Sequence, residues 1–364
     1  MKNIRFIAIT LIFSLLIGGT SLALIFKESD DISEWERRRL QQFPKISAET
    51  LMSGKFMREF ETYLTDQFLL RNELRTLKAK VHFDLFAQKD NGGIYIKDGH
   101  ASKLDPKIST SSVNRFTEKM TSLYESYLKG TDCKVYYSII PDKNRFLTSD
   151  GSYPGFDYGE MYRLIDEDFT FMTKIEIEDL LSIEDYYRTD THWRQEKITD
   201  VAQRIRTAMG NDKEVAFETK AMGDFYGVYY GQSALPLDAD EIVYLTNEQI
   251  DSCKVYNLEK NKTTGVYEDS HYKNMDPYDV YLGGAVPFLE ITNPKGEEGK
   301  ELVLFRDSFG SSLSPLLIDS YSKITLIDTR YIDPRLIKEY VTFDTQDVLF
   351  IYSTLLINSS IALK

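Results

Sequence analysis

The chain has 364 residues, a hydrophobic share of 42% and a formal net charge of −13. At roughly 100–200 residues per domain, that length holds two domains or one large α/β domain with appendages. The acidic balance leaves no broad basic surface to neutralise phosphates, which excludes a nucleic-acid partner; the 24 Tyr and 21 Phe fill a substantial core and are compatible with sugar binding.

Lys2 and Arg5 precede an uncharged run from Phe6 to Phe26, close to the ~20 residues that span a bilayer. Lys27 and then Glu28-Ser29-Asp30-Asp31 follow. Positive charge before the span and acid after it put the N-terminus inside and the rest outside. A cleaved signal is the other reading, with Ser21-Leu22-Ala23 as its small-residue site. The run is long for a signal, so a retained anchor over residues 1–27 is favoured. Both readings export residues 28–364.

Residues 28–90 read as a juxtamembrane and helical segment. Ile32–Leu40, with Glu34, Glu36, Arg37, Arg38 and Arg39, has the composition of a solvated linker that ends at Phe43-Pro44. Two helices are predicted, over 48–63 and 70–87. Phe56, Phe60, Tyr63 and Leu64, then Leu70, Leu74, Leu77 and Val81, recur at helical spacing. Asn91-Gly92-Gly93 is a turn, and the main domain runs over 91–364. It opens with a strand at 94–99 and a helix at 109–129. The apolar strand Lys134–Ile140 ends in Pro141-Asp142-Lys143-Asn144. Ligands bind open α/β sheets at strand C-termini. Lys143 and Asn144 are therefore site candidates, beside the plainer reading of a Pro-Asp turn.

A further strand is predicted over 175–181 and a helix over 195–209. Asp224–Gly231 is an aromatic loop. It forms either the wall of a binding cleft, with Tyr229 and Tyr230 facing the ligand, or a packed hairpin. The last third alternates: strand 302–305, helix 311–321, strand 323–327 running into Asp328-Thr329-Arg330-Tyr331, helix 334–340, strand 347–352. That alternation predicts a mostly parallel sheet with flanking helices.

The chemistry lies in two distant stretches. Arg306-Asp307-Ser308-Phe309-Gly310 is a strand-to-helix turn that exposes the Ser308 hydroxyl and brings a helix start with free N–H groups. Such a turn is more often only a cap. Of the four histidines, His192 alone has a carboxylate two residues earlier. In an extended or turn conformation Asp190 can hold one imidazole nitrogen and leave the other as base. Asp190 alone also reads as a helix cap; the two stretches together are more specific than either. Trp193 is expected to pack beside the imidazole. Oxyanion donors are expected from the backbone N–H of Ser308 or Gly310, or from Asn144. Arg306 and Arg330 are candidates for contact with a sugar. Cys133 and Cys253 lack metal spacing. They form either one disulfide or two separate thiols.

The combination resembles the DHHW and alginate O-acetylation (AlgX and AlgJ type) families, whose fold is a permuted SGNH hydrolase-like α/β domain. The matching motifs are Glu36–Leu40 with Phe43-Pro44, Gly92–Gly99, Pro141–Asn144, Asp190–Trp193, Phe225–Tyr230, Arg306–Phe309 and Asp328–Tyr331. Thr191 stands where the DHHW name has a His, and Arg306 stands where the SGNH block has Gly. The resemblance implies an extracytoplasmic Ser/His/Asp enzyme that moves acetyl groups on exported polysaccharide. Ser308 would be nucleophile, His192 base and Asp190 the orienting acid, with no cofactor or metal. It also implies a membrane acyltransferase as partner. The alternative is a non-catalytic glycan-binding or assembly subunit of an export complex.

Overall fold

The computed structural model describes residues 2–364, which fall into two compact units. Unit one comprises Met1–Gly92 with Tyr230–Pro236, and unit two comprises Gly93–Tyr229 with Leu237–Lys364.

Unit one begins with the helix Lys2–Phe26. Its segment Ile4–Phe26 has mean hydropathy 2.3 and is long and apolar enough to cross a membrane. The arginine-rich stretch that follows is not a loose linker. Arg38 donates to both carboxylate oxygens of buried Asp66, at 2.9 and 2.5 Å. Glu36 pairs with Arg71 at 2.5 Å and with Arg75 at 3.3 Å. Arg75 also donates to the Gly231 carbonyl at 2.8 Å. Gly231 is required there, since a Cβ would lie 1.6 Å from the Trp35 carbonyl oxygen. The single helix expected over 48–63 is two helices, Ala48–Met52 and Lys55–Asp66. Gly54, at φ +67°, breaks them apart; this left-handed backbone favours glycine. The second expected helix is α-helical over Arg71–Lys80 and ends in one π turn.

Unit two is built on an eight-stranded sheet. Its strands in chain order are β1 (Lys134–Ile140), β2 (Thr173–Lys174), β3 (Lys254–Asn257), β4 (Lys262–Thr264), β5 (Phe288–Thr292), β6 (Glu301–Arg306), β7 (Lys323–Ile327) and β8 (Asp347–Ser353). The spatial order is β4-β3-β5-β7-β6-β8-β1-β2. The run β7-β6-β8-β1-β2 is parallel. β5 runs antiparallel to its neighbours and β4 antiparallel to β3. Central strands buried on both faces must be apolar at consecutive positions. Accordingly Leu302 and Leu304 join one core while Val303 and Phe305 join the other. The stretch 175–181 is not a strand; β2 stops at Lys174 and a 3-10 turn follows at Glu178–Leu180.

From β6 the chain crosses to β7 on one side, then returns to β8 on the other. The β6/β8 boundary is thus a switch point, where loops at the strand C-termini diverge and open a crevice. Asp307 and Ser308 leave β6 at that edge.

Candidate active site

The expected helix after β6 is a single α turn, Phe309–Leu313, followed by 3-10 structure over Ser314–Ser320. Pro315 has no N–H to continue the α pattern. Ser308 precedes the turn in αR geometry. Asp307 fixes it from behind: one oxygen accepts from the Phe309 N–H at 3.0 Å. The other accepts from the N–H and hydroxyl of Ser353, at 2.8 and 2.6 Å, and joins β6 to β8.

His192 arrives on a tight loop. Its stems are closed by a bridge between Tyr186 and Trp193 and by Tyr187 N–H donating to the His192 carbonyl at 3.1 Å. Within the loop Asp190 turns back on its own chain. Its Oδ1 accepts from the His192 N–H at 3.1 Å and lies 2.7 Å from His192 Nδ1. Its Oδ2 accepts from the Val228 N–H at 2.9 Å. His192 Nε2 lies 2.8 Å from Ser308 Oγ. An ionised carboxylate only accepts, so Nδ1 carries the proton and Nε2 presents its lone pair to the Ser308 hydroxyl. Asp190 is 1% exposed and His192 8%, so the interaction sits largely away from water.

The aromatic partner of the imidazole is Tyr278, which stacks at 3.9 Å between centroids and 9° between planes. Its hydroxyl donates to Ser312 Oγ at 2.8 Å. Phe309 closes the edge at 4.8 Å. Trp193 does not take this place. Its indole N–H donates to Ser312 Oγ at 2.9 Å and the Phe309 carbonyl at 3.2 Å, tying the His192 loop to the Ser308 turn.

The other candidates from the sequence have internal duties. Asn144 is held internally: its Oδ1 accepts from the Tyr95 and Ser102 hydroxyls, and one amide N–H donates to the Lys103 carbonyl. Lys143 is buried, with its ammonium on the carbonyls of Ala101, Tyr187, Arg188 and Asp190. Gly310 spends its N–H on the Asp307 carbonyl at 3.1 Å. A Cβ there would meet Arg306 Cβ at 2.6 Å, so the glycine serves close packing over that arginine. Arg306 is buried and lies 3.6 Å from Asp328, which Arg330 also pairs at 2.6 Å. Tyr229 is buried and lies under the Lys143 ammonium. Tyr230 belongs to unit one, where its ring contacts Trp35 at 5.3 Å. Of the two backbone N–H groups expected as oxyanion donors, that of Ser308 has no acceptor among the described residues, while that of Gly310 is taken by the Asp307 carbonyl. Cys133 and Cys253 are free thiols; burial pushes Cys253 up to about 12.

Three further residues support the site: Tyr278 and Asp240, which left no mark in the sequence pattern, and Gly227 of the aromatic loop. Asp240 accepts from the Arg188 and Thr189 N–H groups and the Thr189 hydroxyl, at 2.8, 2.8 and 2.6 Å. Gly227 permits the 225–229 segment to lie on the Asp190 loop; a Cβ would sit 2.3 Å from Asp190 Cβ and 2.4 Å from the Thr189 carbonyl oxygen. The aromatic loop supplied its hint, but for a cleft wall.

The family described as DHHW protein matches residues 182–327. The matched segment holds Asp190, His192 and Ser308. Among solved structures, the chain is similar to a DHHW family protein from Eubacterium siraeum, at 20% identity and a TM-score of 0.59, covering 74% of this chain and 93% of that one. It is also similar to Bacillus cereus PatB1 with a sulfonyl adduct, at 18% identity and a TM-score of 0.58, covering 72% and 95%. The O-acetyltransferase domain of Pseudomonas putida AlgJ aligns at 12% identity and a TM-score of 0.40, covering 73% and 92%, a likeness too loose to build on. Comparison with curated proteins found no significant match. The first two likenesses agree with the α/β fold expected from the sequence resemblance.

Proposed function

We propose that this chain is a serine-dependent O-acetyltransferase or acetylesterase acting on an exported or cell-surface polysaccharide. The observation that carries the reading is the unbroken line from Asp190 through His192 to Ser308, with contacts of 2.7 and 2.8 Å. In the proposed reaction Ser308 Oγ attacks the carbonyl carbon of an acetyl ester while His192 Nε2 takes the hydroxyl proton. The imidazolium returns that proton to the leaving alkoxide, and an acetyl-serine remains. A glycan hydroxyl or water then attacks, again losing its proton to Nε2, and Ser308 is restored. Asp190 holds the Nδ1 proton throughout and offsets the imidazolium charge. The Ser308 N–H is the available donor toward the oxyanion. No metal enters this sequence.

On this reading the Ile4–Phe26 helix is an anchor or signal, and the N-terminal Lys2 and Arg5 remain inside, with the catalytic unit outside the membrane. Acetyl then has to arrive as an ester or through a membrane acyltransferase partner. That PatB1 was solved with a sulfonyl adduct suggests a direct test. The detergent-solubilised chain should hydrolyse p-nitrophenyl acetate and gain one sulfonyl group from phenylmethylsulfonyl fluoride. Ser308→Ala should lose both. Equal ester turnover in the two proteins, with no adduct, would leave a glycan-binding subunit as the better account.

A further inference from the structure

The loop that carries Asp190 and His192 has little regular structure to hold it; beyond the Tyr186–Trp193 bridge it is a series of bends. Buried peptide groups outside a ladder still need partners. Here they are sorted by polarity. The N–H groups of Arg188 and Thr189 both point to the Asp240 carboxylate. The carbonyls of Tyr187, Arg188 and Asp190 all point to the Lys143 ammonium, at 2.7, 3.1 and 3.1 Å. Ala101, whose N–H donates to the Arg188 carbonyl, adds its own carbonyl to the ammonium at 2.5 Å. Lys143 is 2% exposed. An ammonium placed there loses its hydration, which burial registers by pulling it down to about 7. The facing charges are the Asp190 and Asp240 carboxylates, while burial also keeps His100 low. A methionine or leucine would fill the same space without that desolvation cost. The position instead holds the one side chain that offers three donors from a single atom.

We propose that Lys143 and Asp240 act as a paired electrostatic clamp that positions the Asp190–His192 loop, one holding its carbonyls and the other its N–H groups. This rests on the proposed role of the loop. Neither residue touches the reacting atoms; both are positioning residues. Lys143 reaches the loop from the end of β1, so the clamp sets the imidazole's place relative to the sheet that carries Ser308.

The test is a double-mutant cycle in the full detergent-solubilised chain, with Lys143→Met, Asp240→Asn and both together. On p-nitrophenyl acetate each single change should lower kcat by about tenfold to a hundredfold, the scale of a small misplacement, while KM stays within about twofold. The double variant should fall little below the worse single, because both act on one loop. Wild-type kcat in Lys143→Met, or losses that multiply, would overturn the clamp. Amide exchange reads the loop without turnover: residues 187–192 should exchange faster in each variant while β8 keeps its protection. An inactive parent protein with a loosened loop would sink the enzymatic reading and spare the clamp; an unchanged loop would sink the clamp. Should Lys143→Met fail to fold, the half-buried Asp240→Asn carries the same exchange test alone.

Discussion

Gly227→Ala should damage the site from a distance through sterics alone. The added methyl would sit 2.3 Å from Asp190 Cβ, 2.5 Å from Asp190 Cα and 2.4 Å from the Thr189 carbonyl oxygen. An ordinary contact begins near 3.4 Å, so one segment must move by about 1 Å. The obstacles are backbone and Cβ atoms, which cannot rotate aside. Three contacts ride on the same approach: Gly227 N–H to Thr189 Oγ1 at 2.8 Å, Val228 N–H to Asp190 Oδ2 at 2.9 Å, and Tyr229 N–H to the Thr189 carbonyl at 2.9 Å. Overpacking costs about 1–3 kcal/mol, and each weakened hydrogen bond adds about 1 kcal/mol. A total near 4–6 kcal/mol lowers Tm by roughly 8–24 °C in a unit of this size. A 1 Å displacement of Asp190 should also reduce kcat by about a hundredfold. Calorimetry and p-nitrophenyl acetate kinetics read both numbers. Gly265→Ala is the control, because its Cβ would meet only the Tyr267 carbonyl oxygen at 3.6 Å. If Gly227→Ala melts and turns over like wild type, the close approach does not matter and the account of the Asp190 loop is wrong.

Asp190→Asn keeps the shape of the loop but presents an amide donor or a neutral acceptor to Nδ1. It should cut kcat by about ten-thousandfold through the wrong tautomer, with KM little changed in steady-state assays. In unit one, Asp66→Asn should destabilise the chain at neutral pH. The Arg38 guanidinium holds the Asp66 carboxyl below the usual range. A lowered folded pKa contributes stability that is full above the unfolded value, about 3.9, and fades as pH falls through the folded one. The wild-type advantage over Asp66→Asn in chemical denaturation should therefore shrink below about pH 4; an advantage that held constant to lower pH would contradict the pairing.

Much of this protein is legible along one dimension. The uncharged 6–26 run, the consecutive apolar residues of β6 and β8, and the β-α-β alternation are local patterns, and each forces its element because backbone and apolar groups have few other ways to be satisfied. The Asp-x-His spacing likewise announces its own contact, since both partners lie within one bend. Helix continuity was less legible: Gly54 and Pro315 each broke a periodic pattern through backbone restriction, although both were visible in the sequence. Roles that depend on what stands opposite were not legible at all. Lys143 and Asn144 sit at a strand end, where ligands are bound in this class of fold, yet the hairpin 94–103 and the 187–190 carbonyls cover them and turn candidate ligand contacts into supports. Trp193 adjoins His192 in sequence, but its indole is held by Ser312 and the Phe309 carbonyl, and the imidazole is stacked instead by Tyr278, 86 residues away by the numbering. Periodicity and turn chemistry act between neighbours and so are written in the sequence; the partner of a buried polar group is chosen by which chains the sheet brings together, and only the tertiary structure decides that.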